Sequence, residues 1–165
     1  MAVLPPVTLT RSDFLDMDRL AEALAVRLEP GDVILLDGPV GMGKTYFVKA
    51  VARVLGSEDE VTSPTYALAQ VYKGREVDIL HVDAYRLSGV GEYLDMGMEA
   101  YFDEAMVFVE WGETVRGAHD DPLTLRIAQA PSGPEARSVT LEWEAGPWDN
   151  KVAALLADLG QGGAV

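Results

Sequence analysis

The residues best suited to chemistry form a glycine-rich stretch at positions 38–45, which reads G-P-V-G-M-G-K-T. The stretch fits the pattern G-x-x-x-x-G-K-[S/T], the phosphate-binding P-loop or Walker A motif. Its glycines let backbone amides turn inward and approach phosphate oxygens closely. We expect Lys44 to reach the β- and γ-phosphates and the Thr45 hydroxyl to bind Mg²⁺. The motif therefore indicates the binding and cleavage of a nucleoside triphosphate.

The motif stands between a predicted strand and a predicted helix. Residues 32–37, D-V-I-L-L-D, form a short apolar run typical of a strand buried on both faces. Apolar residues after the motif recur at helical spacing up to Leu55, and Gly56 ends the helix. The helix N-terminus adds the positive end of its dipole to the loop. The residues expected to contact the nucleotide are Gly38, Gly41, Met42, Gly43, Lys44, Thr45 and Tyr46.

Two later strand-like runs end in carboxylates. Residues 77–83 end in Asp83, and the apolar run 105–109 is followed by Glu110. Ligands of an open α/β sheet lie beyond the carboxyl ends of its strands, so both acids are predicted to face the nucleotide. Mg²⁺ takes hard oxygen ligands, usually one or two carboxylates with phosphates and waters. One acid is expected to hold the metal or its water, and the other to do the same or to orient the attacking water.

Three neighbouring features are open to two interpretations each. Trp111 follows Glu110 and either packs near the nucleotide or caps the core. His81 alternates with Asp83 on one strand and is interpreted as a hydrogen-bonded structural residue rather than a catalytic one. Residues 63–65, S-P-T, are either a proline turn or a switch loop of the kind that γ-phosphate and Mg²⁺ order.

The elements that must hold these residues predict an α/β protein. We expect a P-loop NTPase-like three-layer sandwich, with a mixed, mostly parallel central sheet and antiparallel hairpins. One hairpin joins residues 66–72 to 77–83, and a second surrounds the loop 129–135. The remaining predicted elements are an edge strand at 7–10, a first helix at 17–28, short helical pieces at 91–102 and a closing helix at 152–159.

Length and composition limit the classes of protein. The 165 residues predict one domain, 1–165, with a loose tail at 160–165. The net charge of −14 argues against binding bare nucleic acid and is compatible with a basic partner protein or simply with solubility. The chain has no cysteine for disulfides or thiolate zinc sites. It has no apolar run long enough to span a membrane and no signal peptide, so we expect a cytoplasmic protein.

Four signatures in order resemble the bacterial TsaE family: the P-loop at 38–45, S-P-T-Y at 63–66, H-V-D-A-Y-R at 81–86 and V-E-W at 109–111. The similarity covers residues 12–144. It implies a Mg-dependent P-loop ATPase, weakly active alone, that acts with the TsaB and TsaD proteins. That pair places a threonylcarbamoyl group on the adenosine beside the anticodon of tRNA, and ATP hydrolysis supports repeated cycles. The tRNA would contact the chain only indirectly, through the partners.

The resemblance also implies roles for individual residues. The departures from the usual family pattern, P-V at 39–40 and Met42, lie at variable positions of the loop and leave phosphate binding unaffected. The family roles are the P-loop lysine and the metal-binding threonine, the switch-loop threonine, the acid of the third signature and a nucleotide-side pair. The lysine is Lys44, and the metal-binding and switch-loop threonines are Thr45 and Thr65. The acid is Asp83, and the pair is Glu110 and Trp111.

Three other functions remain as alternatives. A GTPase would need N-K-x-D for guanine, and residues 150–153 read N-K-V-A, in which Ala153 cannot accept the guanine hydrogen bonds. A small-molecule kinase would need a lid and an acceptor pocket, neither of which is evident in the sequence. A nucleotide-gated binding subunit would hydrolyse ATP only incidentally.

Overall fold

A computed structural model of the chain describes residues 5–11, 14–64 and 68–160. Thr65 and the predicted tail from residue 161 onward lie outside these ranges. The strands are β1 (Val7–Arg11), β2 (Val33–Asp37), β3 (Ala69–Tyr72), β4 (Ile79–Asp83), β5 (Met106–Glu110), β6 (Leu123–Gln129) and β7 (Arg137–Glu142). The α-helices are α1 (Phe14–Ala25), α2 (Lys44–Val54), α3 (Val90–Asp95) and α4 (Trp148–Asp158), with 3-10 helices at Glu99–Tyr101 and Gly112–Ala118. Within the described ranges, no helix is long and apolar enough to cross a membrane.

The seven strands form one sheet in the order β1-β7-β6-β2-β5-β4-β3. The P-loop strand β2 lies in the middle and runs parallel to β5 and β6, and β5 runs parallel to β4. The outer pairs β3–β4, β6–β7 and β1–β7 are antiparallel. The mixed sheet and both hairpins predicted from the sequence are therefore confirmed.

Helices cover both faces of the sheet, which gives the predicted three layers. On one face, α1, α2 and α4 bury an apolar cluster that includes Leu20, Val48 and Leu155. On the other face, α3 and the second 3-10 helix pack on a cluster that includes Tyr93 and Val115. Because both faces are covered, the central strands read as continuous apolar runs instead of alternating with polar residues.

The alternation of side chains along a strand decides which face each strand-end residue joins. In β4, Leu80 and Val82 lie in the cluster beneath α3, whereas Ile79 lies in the cluster beneath α2. In β5, Phe108 likewise belongs to the α2 side. Since successive side chains point to opposite faces, His81 and Asp83 in β4 point toward the α2 layer as well, and so does Glu110 in β5. The P-loop leads directly into α2.

Two glycines permit close approaches that fix the loops after β2 and β5. Gly38 has φ 136°, and a Cβ there would lie 2.0 Å from the carbonyl oxygen of Ile127 in β6. Gly112 lies against Leu35, whose Cβ would be 2.6 Å from an added Cβ. The chain turns into Gly112 through Trp111, which has left-handed backbone angles of φ 59° and ψ 41°. The P-loop and the Trp111 turn are therefore both anchored directly on the sheet.

Candidate nucleotide-binding site

A cavity of about 570 Å³ lies at the carboxyl ends of β2, β4 and β5. This is the edge of an α/β sheet at which ligands bind. The predicted site residues that line the cavity are Gly41, Gly43, Lys44, Thr45, Tyr46, Asp83, Glu110 and Trp111. Val40, Ser63 and Tyr85 complete the lining. The cavity therefore brings together residues from the P-loop, from the loop before β3 and from two strand ends.

Two predicted nucleotide contacts lie behind the loop and do not line this cavity. Gly38 forms the turn against β6 described above, and its carbonyl oxygen accepts a hydrogen bond from the Lys44 ammonium. The Met42 side chain packs against the apolar core beneath α1 and α2. These residues support the loop from below, whereas Gly41 and Gly43 are on the cavity side.

Lys44 is buried at the floor of the cavity. Its ammonium lies 4.1 Å from the centre of the Trp111 ring and donates to the carbonyl of Pro39 at 3.1 Å. Burial lowers the pKa of Lys44, against the opposing influence of the carboxylates Glu110, Asp37 and Asp83. Among the residues that the structure describes, no carboxylate lies within salt-bridge distance of this ammonium. The charge is thus held by neutral carbonyl acceptors, which a charged phosphate can displace.

The two strand-end acids lie side by side on neighbouring strands. Asp83 and Glu110 are paired in register between β4 and β5, and both are buried. The Thr45 hydroxyl lies 2.8 and 3.0 Å from the two carboxylate oxygens of Glu110. Asp83 accepts from the backbone amide of Tyr85 at 2.9 Å. The structure therefore places both acids on the cavity side of the sheet, opposite the start of α2.

The oxygen donors at this end of the cavity suit Mg²⁺. Thr45 and Glu110 already share a hydrogen bond, so a metal between them would meet one hydroxyl and one carboxylate oxygen. Within the described parts of the chain, no group of three or more His, Cys, Asp or Glu side chains could hold a metal ion. Mg²⁺ is commonly bound in this way, by one or two protein oxygens with substrate phosphates and waters, and not by an all-protein cage.

Trp111 and His81 occupy defined places around the acids. The Trp111 ring lies over Lys44 and contacts the Tyr85 ring at 5.1 Å between centres, so it lines the cavity. His81 is fully buried, and its Nε2 lies 2.6 Å from a carboxylate oxygen of Glu110. The sequence interpretation of His81 as a hydrogen-bonded residue is confirmed, but the sequence did not indicate its partner.

Arg137 supports the P-loop, a role that the sequence did not reveal. The residue begins β7 and is buried, and its Nε donates to the Met42 carbonyl of the loop at 3.1 Å. Its Nη1 donates to the carbonyls of Pro134 and Ala136 at 2.8 and 3.1 Å. The guanidinium thus joins the β6–β7 connection to the P-loop through charge-assisted hydrogen bonds. No sequence signal marks a contact between residues 95 positions apart.

Asp37 is a second residue that supports the site in a way the sequence did not predict. It ends β2, and its Oδ1 accepts from the backbone amide of Glu113 at 3.2 Å, which ties the P-loop strand to the segment after Trp111. Its Oδ2 is buried and has no hydrogen-bond partner among the described residues. Burial raises the pKa of Asp37, and the positive charge of Arg126 acts in the opposite direction.

The Asp37→Asn variant is expected to unfold at a higher temperature than the wild type at pH 7. Because the pKa of Asp37 is raised in the folded state, the folded protein loses stability as the pH rises from the pKa of the unfolded state to that of the folded state. Asparagine carries no charge to bury, and about 1 kcal/mol would raise the midpoint by roughly 2–4 °C in a chain of this size.

Thermal unfolding followed from pH 4 to pH 8 measures this effect. The difference between Asp37→Asn and wild type should narrow steadily as the pH falls toward about 4, because the wild-type carboxyl is then protonated in the folded state and increasingly protonated in the unfolded state. Exposed Asp95 supplies the control Asp95→Asn, which should follow the wild type throughout. An Asp37→Asn protein that is less stable than the wild type at pH 7 would contradict the expected cost of this buried charge.

The N-K-V-A sequence at 150–153 is remote from the cavity. Lys151 lies on α4 and pairs with Glu29 and Asp32 at 3.2 and 2.7 Å, ahead of the first residue of β2. The P-loop follows the last residue of β2, at the opposite end of the strand. The position of Lys151 therefore gives the GTPase alternative no support.

A P-loop after the central strand of a mixed three-layer sheet, with acids at the ends of neighbouring parallel strands, defines the class of P-loop NTPase folds. The fold is similar to the crystal structure of YdiB from Bacillus subtilis, with a TM-score of 0.70 and 25% sequence identity. That similarity covers 98% of this chain and 97% of the YdiB chain. The class predicted from the sequence is therefore confirmed.

The family model "Threonylcarbamoyl adenosine biosynthesis protein TsaE" matches residues 12–139. The tRNA threonylcarbamoyladenosine biosynthesis protein TsaE of Streptomyces coelicolor is 36% identical over 147 residues, which cover 86% of this chain and 99% of that protein. The protein of the same name from Treponema pallidum is 40% identical over 101 residues, 61% of this chain and 74% of that protein. The chain belongs to the TsaE family, whose members take part in tRNA threonylcarbamoyladenosine biosynthesis. The resemblance noted in the sequence is confirmed.

Proposed function

We propose that this chain is a Mg²⁺-dependent ATPase that binds the TsaB–TsaD pair. On this proposal, ATP hydrolysis supports repeated cycles of threonylcarbamoyl transfer to the adenosine beside the anticodon of tRNA. The observation that carries the proposal is the geometry of one cavity. Lys44 of the P-loop, Thr45 at the start of α2 and the paired acids Asp83 and Glu110 all face the same space.

Each group has a role that its surroundings support. The P-loop amides and the Lys44 ammonium bind the triphosphate, for which Lys44 gives up its hydrogen bonds to loop carbonyls. Thr45 and Glu110 hold the metal, because their oxygens are already 2.8 Å apart. Asp83, next to Glu110 on β4, orients the attacking water. When bound, Mg²⁺ would neutralise part of the negative charge on the β- and γ-phosphate oxygens.

Two features support a dependence on partners. The rim of the cavity presents exposed apolar side chains, with Val40 79% and Tyr85 62% exposed, and a partner surface that covered them would also exclude water from the site. The net charge of −14 suits contact with a basic protein and disfavours direct contact with tRNA phosphates. The tRNA is therefore proposed to bind the partners and not this chain.

The test is the rate of phosphate release from ATP by the full chain, measured with and without purified TsaB and TsaD and with and without Mg²⁺. We expect slow Mg²⁺-dependent release alone and a faster rate with the pair, with ATP preferred over GTP. A rate that the pair leaves unchanged, together with ATP-dependent binding to the pair, would favour a nucleotide-gated subunit. Transfer of the γ-phosphate to a metabolite would favour a kinase. No binding of nucleotide would overturn the proposal.

A further inference from the structure

A buried histidine, His81, stands directly behind one of the two acids. It lies on β4 two residues before Asp83 and is fully buried, and its Nε2 is 2.6 Å from Oε2 of Glu110. Its other ring nitrogen, Nδ1, is 3.0 Å from the hydroxyl of Tyr72 on β3. The imidazole therefore bridges the edge of the sheet and the acid that faces Thr45.

The chemistry of the two side chains determines the direction of the hydrogen bond between His81 and Glu110. An ionised carboxylate only accepts, so with Glu110 ionised the proton between the two side chains belongs to Nε2 of the imidazole. The hydroxyl of Thr45 approaches the same carboxylate from the cavity side. Glu110 is thus held between one donor from α2 and one from β4.

The orientation of the His81 ring is fixed in turn by Tyr72. The Tyr72 hydroxyl is buried, and it lies 2.9 Å from the side-chain oxygen of Gln70 and 3.1 Å from the carbonyl of Thr62. Burial raises the pKa of Tyr72, so the hydroxyl keeps its proton at neutral pH. Side-chain groups of β3 and a backbone carbonyl of the loop before it therefore meet at one end of the imidazole, while Glu110 binds the other end.

We infer that His81 is a positioning residue for Glu110, and that Tyr72 positions His81. This inference rests on the proposed function, in which Glu110 holds the metal with Thr45. A buried carboxylate that lost the His81 donor would rotate toward the remaining donors or draw in water. Because metal ligands tolerate little misplacement, partners that orient such ligands typically matter by about 10–100-fold in activity or metal affinity.

Replacing His81 by glutamine or by asparagine separates its contact with Glu110 from its contact with Tyr72. Glutamine reaches far enough to place an N–H where Nε2 stands, and so retains a donor for Glu110. Asparagine is shorter, reaches only the position of Nδ1 and loses that donor. With the TsaB–TsaD pair and saturating Mg²⁺ present, we expect His81→Asn to lower kcat for ATP hydrolysis by about 10–100-fold with KM for ATP within about twofold of wild type. His81→Gln should recover most of the rate.

His119 supplies the matched control, since the chain has two histidines. Its Nε2 lies 2.9 Å from the Tyr93 hydroxyl, so it is also paired with a buried tyrosine, but it lines a different cleft. His119→Asn should leave kcat unchanged. Equal losses in His81→Asn and His81→Gln, or wild-type kcat in His81→Asn, would overturn the inference.

A second readout needs no nucleotide, metal or activity. The proton NMR spectrum of the free chain should contain a downfield, slowly exchanging imidazole N–H resonance that persists in His119→Asn and is absent from His81→Asn. Glu110→Gln should shift this resonance strongly upfield, because the charged acceptor is lost. Absence of the resonance in the wild type, or no shift in Glu110→Gln, would contradict the contact. If the wild type shows the resonance yet hydrolyses no ATP with the pair present, the proposed function fails while the contact stands.

Discussion

Replacing Lys44 by alanine is expected to abolish nucleotide hydrolysis and to weaken ATP binding by about 100-fold or more. The ammonium is the buried positive charge of the cavity floor, and a hydrogen bond to a charged group contributes about 1.5–3 kcal/mol. Two such bonds to phosphate oxygens, at roughly tenfold each or more, account for the expected loss.

The Lys44→Ala protein should remain folded, which makes the result interpretable. Burial lowers the pKa of Lys44, so its charge is a cost to the folded state that the variant removes. Isothermal titration with ATP measures affinity, and the thermal midpoint checks folding. Exposed Lys49, one turn further along α2 and outside the cavity, gives the control Lys49→Ala, which should bind as wild type does. ATP affinity near wild type in a folded Lys44→Ala protein would exclude the proposed triphosphate site.

The parts of the site that the sequence predicted are those governed by position along single elements. The P-loop is a local pattern, and its strand and helix follow from the apolar residues on either side. Asp83 and Glu110 were predicted to share an edge because parallel strands of an α/β sheet end on the same side. Their pairing in register on β4 and β5 satisfies that rule directly.

The parts that the sequence did not predict depend on which strands become neighbours. His81 contacts Glu110 only because β4 pairs with β5 in a register that sets His81 opposite Phe108. Arg137 reaches Met42 because the second hairpin packs beside β2, through the parallel pairing of β6. Neither strand order nor register is encoded in local spacing.

The location of Trp111 illustrates the same limit. The sequence left it either at the nucleotide or capping the core. Its ring lies over Lys44 because its backbone turns through the left-handed region and Gly112 then packs directly on Leu35. A bulky residue with a left-handed backbone carries no sequence signature, and the glycine that permits the turn becomes informative only once β2 is known to lie beneath it.

Removing the charge of either strand-end acid is expected to stop turnover while preserving nucleotide binding in the absence of Mg²⁺. We expect Glu110→Gln and Asp83→Asn each to lower kcat by about 100-fold or more, since each removes a group that acts on the metal or the attacking water. Both acids are buried close to where the phosphates are proposed to bind. Without Mg²⁺, their negative charges repel the triphosphate, so both variants should bind ATP at least as tightly as wild type under that condition.

The dependence of ATP affinity on Mg²⁺ separates the two roles. Glu110 shares its carboxylate with Thr45, so Glu110→Gln should lose most of the gain in ATP affinity that Mg²⁺ gives the wild type. Asp83→Asn should retain that gain, because Asp83 is proposed to act on water. Asp78 precedes β4 at the other end of the strand and pairs with Lys73, and Asp78→Asn is the control expected to keep the wild-type rate. Wild-type rates in both Glu110→Gln and Asp83→Asn would refute the assignment of these acids, whatever the behaviour of Lys44.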